Sequence, residues 1–262
     1  MSPRADPPSP TLAVYYGPAT EQALATLATF PRVAVQAPLY SPEQLAALRR
    51  GGTRVLAYLS VGEDHPLGDW ACVPGAAPYH QQPNTEWASV VVDAAHPLWA
   101  DVLLTRAAQI LEHTDGLLLD TLDSADPVAT LALLRQLRGA FPDAALWANR
   151  GFALWPELPE VLRGAPDHGV LFEALSTRHT PCYALHDPPG LAYTAHWLAE
   201  VRRSGLPVHA LDYADRPELA AAARARAAAL GLRTFVSDRD LVWPGGWPIP
   251  EPVGPTPLEA LL

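Results

Sequence analysis

The feature that most restricts how this chain can fold is a rhythm. Eight short apolar, β-prone runs alternate with segments of helical pattern. The runs fall at residues 12–16, 32–36, 54–60, 116–119, 144–149, 169–172, 207–211 and 232–236. Helical patterns fill the intervals at 20–28, 42–50, 97–113, 127–140, 156–163, 190–204 and 217–230; Ser41 is placed to cap the second of these and Pro42 to open it. Apolar runs this short, without polar alternation, suit strands buried on both faces, as in a parallel sheet covered by helices. Eight such repeats in 262 residues predict a single (β/α)8 barrel, with a long loop after the third strand. An open doubly wound sheet is the competitor, but no Gly-x-Gly-x-x-Gly follows the first run.

The barrel is expected to occupy residues 11–243. Residues 1–10, with four prolines, are expected to be a flexible segment, and residues 244–262 a Pro-rich tail. Residues 64–86, rich in Pro, Gly and polar residues, show no periodicity and so read as a structureless connection, functional or disordered.

Composition removes several chemistries. All 18 basic residues are arginine, so a Schiff-base aldolase, a pyridoxal-phosphate enzyme and a Walker-type nucleotide site each lack their lysine. The net charge of −10 argues against nucleic acid and favours neutral or cationic ligands. No apolar run reaches 18 residues, so no membrane span is expected. The first ten residues contain no apolar core and do not read as a signal peptide. Cys72 and Cys182 are either free thiols or one long-range disulfide. The nine histidines are scattered, with no His-x-His or His-Glu-x-x-His, and no metal or other cofactor is expected. A cation held by Asp120, Asp123 and Glu63 is the weak alternative. No Gly-x-Ser-x-Gly elbow supports a serine triad.

In such a barrel the active site forms at the C-terminal ends of the strands. Collected there are Tyr15 and Tyr16, Gln36, Ser60 and Glu63, Asp120 and Asp123, Asn149 and Arg150, Glu173, Asp212 and Tyr213, and Asp238. Turns and caps account for many of these. They account less well for Asp120 and Glu173, each of which ends an apolar run at once. Strands four and six are next-but-one neighbours, so the two carboxylates can face each other as glycoside hydrolysis requires. Asn149, on the strand between, is placed to hydrogen-bond a sugar or one carboxylate. Trp70, Trp87, Trp155, Tyr183 and Tyr213 offer faces on which sugar rings stack.

These residues form a pattern. Tyr58-Leu-Ser-Val-Gly-Glu63, then Trp87 to Asp93 with Pro97-Leu-Trp99, then Asp115-Gly-Leu-Leu-Leu-Asp120-Thr-Leu-Asp123, resembles the endo-α-1,4-polygalactosaminidase-like barrels, glycoside hydrolase family 114 and relatives. Asn149, Phe172-Glu173 and Leu211-Asp-Tyr213 fall where that family has its later strand ends. The resemblance implies cleavage of α-1,4-linked galactosamine-containing polysaccharide by an Asp/Glu pair, Asp120 and Glu173, with retention of configuration. Similarity to α-galactosidase-like barrels makes Asp120 the nucleophile and Glu173 the acid/base; the reverse stays open. Tyr16, Tyr58, Ser60, Glu63, Asp123, Asn149, Asp212 and Tyr213 are the expected substrate-binding residues. The expected partner is an amino-sugar poly- or oligosaccharide and the expected state a monomer; the family is mostly secreted. Two departures stand out: Asp-His-Pro-Leu-Gly-Asp-Trp follows Glu63 in place of the Glu-x-Tyr-Arg common in relatives, and no leader is visible. A carbohydrate-binding barrel without turnover is the alternative.

Overall fold

Burial on both faces is what the central runs achieve: Leu117, Leu118 and Leu119 are each fully enclosed, as are Val33, Ala34 and Val35. The computed structural model describes residues 11–247. Eight strands, β1 (Ala13–Tyr15), β2 (Arg32–Val35), β3 (Arg54–Ser60), β4 (Gly116–Asp120), β5 (Ala145–Asn149), β6 (His168–Glu173), β7 (Val208–Tyr213) and β8 (Thr234–Ser237), pair in parallel in sequence order. Seven helices lie between them: α1 (Glu21–Leu27), α2 (Pro42–Arg50), α3 (Pro97–Leu111), α4 (Pro127–Ala140), α5 (Leu158–Arg163), α6 (Pro188–Arg203) and α7 (Pro217–Ala229). This is the (β/α)8 barrel. Among the described residues no ladder joins β8 to β1. The seam is closed by Tyr16 N–H donating to Leu241 O at 2.8 Å and by Phe30 set edge-on to Phe235 at 6.1 Å.

Helix starts follow local chemistry. Ser41 and Gln44 form a reciprocal capping box at α2. Helix α6 begins at Pro188, two residues before the expected Gly190, because first-turn prolines need no N–H partner and Asp187 accepts from Gly190 N–H.

The stretch after β3 corrects the expectation of a structureless loop. Glu63–Asp64 and His80–Asn84 flank Ser89–Val92 in a three-stranded antiparallel flap. Its outer strand, His-Gln-Gln-Pro-Asn, is polar and half-exposed, with a proline that only an edge strand tolerates. That is why no alternation marked it. A smaller ribbon pairs Thr177–Arg178 with Ala184–Leu185 after β6. Cys72 and Cys182 are both free thiols. The expected flexible segment 1–10 and most of the expected tail, residues 248–262, lie outside the described residues. No described helix is long and apolar enough to cross a membrane.

Candidate active site

Three adjacent strands deliver three side chains to one point. Asp120 ends β4, Asn149 ends β5 and Glu173 ends β6. The Asn149 amide donates one proton to Asp120 Oδ1 at 2.8 Å and the other to Glu173 Oε2 at 2.7 Å. Laid end to end, these bonds cap the separation of the two oxygens at about 5.5 Å, short of the ~6.5–9.5 Å of inverting glycosidases.

The backbone turns away sharply beneath each of them. Thr121, Arg150 and Ala174, the residues next in sequence, have φ of 58°, 55° and 50°. Left-handed backbone at non-glycine residues is strained, most of all at a β-branched threonine. Thr121 is held there by its hydroxyl, which donates to Asp120 O at 2.6 Å and accepts from Val61 and Gly62 N–H at 3.1 and 2.9 Å. Arg150 is tied by Nε to Glu173 O at 2.9 Å.

Electrostatics separate the two carboxyls. Burial and the neighbouring Glu173 charge push Asp120 up to about 6, against hydrogen bonds from Thr121 N–H, Asn149 and Tyr58. Burial also acts to raise Glu173, but the Arg150 guanidinium, the Tyr213 hydroxyl and Asn149 together outweigh it and hold this carboxyl below its ordinary value. The Tyr213 hydroxyl donates to Glu173 Oε1 at 2.6 Å. Below about pH 6 the pair carries one proton, held on the Asp120 side. Burial first, then these carboxylates, keeps Tyr16, Tyr58 and Tyr213 firmly protonated, so all three are donors.

A cavity of about 710 Å³ opens above the pair, a size suited to a few sugar rings. Of the expected binding residues, Tyr16, Tyr58, Ser60, Glu63, Asp123, Asn149 and Tyr213 line it. Glu63 and Asp123 are committed to the protein. Glu63 accepts from Ser89 Oγ, Ser124 Oγ and Asn84 Nδ2, which roots the flap. Asp123 accepts from the N–H groups of Gly151 and Ala153, which holds the turn after β5. Asp212 departs from expectation altogether. It is fully buried away from the cavity, with Oδ1 accepting from Ser176 N–H, Thr177 N–H and Thr177 Oγ1, and Oδ2 from Thr234 Oγ1. Its charge is spent on bracing the loop after β6.

Trp87 and Tyr213 are the expected stacking residues that reach the cavity, whereas Trp70, Trp155 and Tyr183 do not line it. Sequence reasoning missed His65, Arg178, His179 and Arg239, which also line the wall. They sit two to six residues beyond the barrel strand ends, where no periodicity points. Asp64 and His80 of the flap, with Cys72 from the loop between them, bring three ligand atoms within 4.8 Å of one another, the spacing of a cation site. Its donors are occupied: Asp64 takes Arg106 Nη1 at 2.8 Å and His80 Nε2 at 3.0 Å, and burial pushes the Cys72 thiol up to about 11. A cation there would have to displace the guanidinium that already supplies positive charge.

No family model matches the chain. The glycoside hydrolase domain of PelA from Pseudomonas aeruginosa is similar at 31% identity, with a TM-score of 0.77 over 89% of this chain and 96% of that one. Ega3 of Aspergillus fumigatus, solved in complex with galactosamine, superposes with a TM-score of 0.63 at 14% identity over 91% and 94% of the two chains, a likeness of fold. An uncharacterised protein of Deinococcus radiodurans is 24% identical over 209 residues, 72% of this chain and 66% of that protein, just under two thirds of its length.

Proposed function

Because the chain belongs to the family of the PelA glycoside hydrolase domain, the polygalactosaminidase-like barrels, and is a glycoside hydrolase, we propose that it cleaves α-1,4-linked galactosamine-containing polysaccharide with Asp120 and Glu173 as its catalytic pair. One observation carries this reading: a single amide, Asn149, bridges both carboxylates at a spacing suited to double displacement.

In the first half-reaction Asp120 attacks the anomeric carbon while Glu173 gives its proton to the departing glycosidic oxygen. In the second, Glu173 takes a proton from water, which displaces Asp120 from the sugar and restores the α configuration. Below about pH 6 the free pair carries one proton, on the Asp120 side, and double displacement needs it on Glu173 once the sugar is seated. An ammonium group seated closer to Asp120 than to Glu173 would favour ionised Asp120.

The test is incubation with partially deacetylated α-1,4-galactosaminogalactan, read by mass spectrometry of the soluble products. Oligosaccharides are expected from the wild type and from neither Asp120→Asn nor Glu173→Gln. Full turnover by either variant overturns the assignment. Proton NMR of the first products should show the α anomer; the β anomer would exclude double displacement.

A further inference from the structure

Three loops from distant strands meet on the rim beside Glu173. Glu86, carried by the flap that follows β3, accepts from Thr180 Oγ1 at 3.1 Å and from Arg239 Nη2 at 3.0 Å. Thr180 belongs to the loop after β6 and Arg239 to the segment after β8. The Arg239 guanidinium also lies 4.3 Å from the ring centre of Trp87. Thr180 Oγ1 is in turn 2.8 Å from Nδ1 of its neighbour His179.

A hydroxyl has one proton, and Thr180 gives its proton to the Glu86 carboxylate. Only lone pairs remain on that oxygen to face His179, so Nδ1 must carry the ring proton and Nε2 must be the lone-pair nitrogen. The ring lines the cavity, edge-on to Tyr213 at 4.8 Å and to Trp87 at 5.9 Å, and Nε2 has no partner among the described residues. Tyr213 is the residue whose hydroxyl holds Glu173. Burial, helped by Arg239 and Arg150 and opposed by Glu173 and Glu86, keeps the imidazole below its ordinary value and hence neutral near pH 7.

We infer that His179 is a substrate-contacting residue, accepting through Nε2 a hydrogen bond from a hydroxyl or ammonium group of the sugar seated against Glu173. Glu86 and Thr180 are positioning residues: they fix the tautomer that leaves this acceptor free. The site is then complete only with the flap docked, since the carboxylate at the far end of the relay arrives from 94 positions away in sequence. This inference rests on the glycosidase reading for its substrate but not for its tautomer, and the two parts are tested separately.

Nitrogen NMR of the imidazole in the unliganded protein should show His179 protonated at Nδ1 in the wild type and a tautomer mixture in Thr180→Val, with Thr180→Ser restoring the wild-type signal. A wild-type ring protonated at Nε2 overturns the inference. For the substrate, kcat/KM on amino-sugar oligomers should fall about 10–100-fold in His179→Ala and about 3–10-fold in Thr180→Val, with the double variant no worse than His179→Ala alone. Additive losses, or full activity in His179→Ala while the wild type turns over, overturn the contact. Calorimetry on the Asp120→Asn background separates the two readings: tight oligomer binding weakened about tenfold by His179→Ala supports the contact even where turnover is slow. Absence of both binding and turnover in every protein overturns the glycosidase reading and the contact with it.

Discussion

Asp120 is held in a buried state that costs stability once it is ionised. Its carboxyl titrates near 6 in the folded protein against 3.8 for the unperturbed side chain. Between those values the native state binds a proton that the unfolded chain has released, so this group's contribution falls as pH rises and the cost is complete above about pH 6. Asp120→Asn keeps an acceptor for the Asn149 amide and removes that cost. It should stabilise the protein by about 1–3 kcal/mol at pH 7, with the gain gone by about pH 3.5, as read from Tm at the two pH values. The same pKa sets the pH profile: double displacement needs one proton on the pair, so kcat/KM should fall about tenfold per pH unit as pH rises above 6 and that proton is lost, and a profile flat up to pH 8 would overturn this protonation scheme. The sequence made Asp120 and Glu173 visible because each is a charge ending an apolar run. It could not separate them from Asp212, which ends its run in the same way yet turns inward to Ser176, Thr177 and Thr234. Which side of a strand end a carboxylate faces is decided by loops that meet it from elsewhere.

At the scale of elements, the strands and most helices were legible from apolar runs and first-turn prolines, because both reflect local backbone chemistry. The flap was not: its outer strand is polar on an edge, and its stability comes from Glu63 gathering Ser89, Ser124 and Asn84 across long sequence gaps. Nor did any residue type announce the left-handed turns at Thr121, Arg150 and Ala174. Thr121 joins these two features, since its hydroxyl satisfies the N–H groups at the root of the flap while its backbone releases Asp120 into the cavity. Thr121→Val preserves shape and removes that oxygen, leaving Gly62 N–H without its acceptor and Val61 N–H with Asp120 O alone. A loss of about 1–3 kcal/mol is expected in denaturant titration, together with faster amide exchange confined to the flap root. Uniform exchange across the barrel would mean that the hydroxyl serves the fold as a whole and not this junction.

Over the whole molecule the charge is −10; Asp120, Glu173 and Asp240 line the cavity while Arg150, Arg178 and Arg239 sit in its wall. Glu63, Asp123 and Glu86 also face the cavity, but each is engaged by protein donors, so much of the local attraction for a cation must come from the remaining carboxylates and from the summed exterior charge. These two sources differ in reach. The exterior field is screened beyond a Debye length of ~10 Å at 0.1 M salt, whereas contacts inside the cavity are screened much less. Raising salt from about 20 to 500 mM should therefore lower kcat/KM on a deacetylated, cationic polymer by roughly tenfold, chiefly through slower capture, while kcat at saturation changes little. A fully N-acetylated polymer carries no charge for the field to act on, and any slow cleavage of it should be indifferent to salt. Equal salt sensitivity for both polymers would show that the exterior charge plays no part in selecting substrate, and that discrimination rests on the cavity contacts alone.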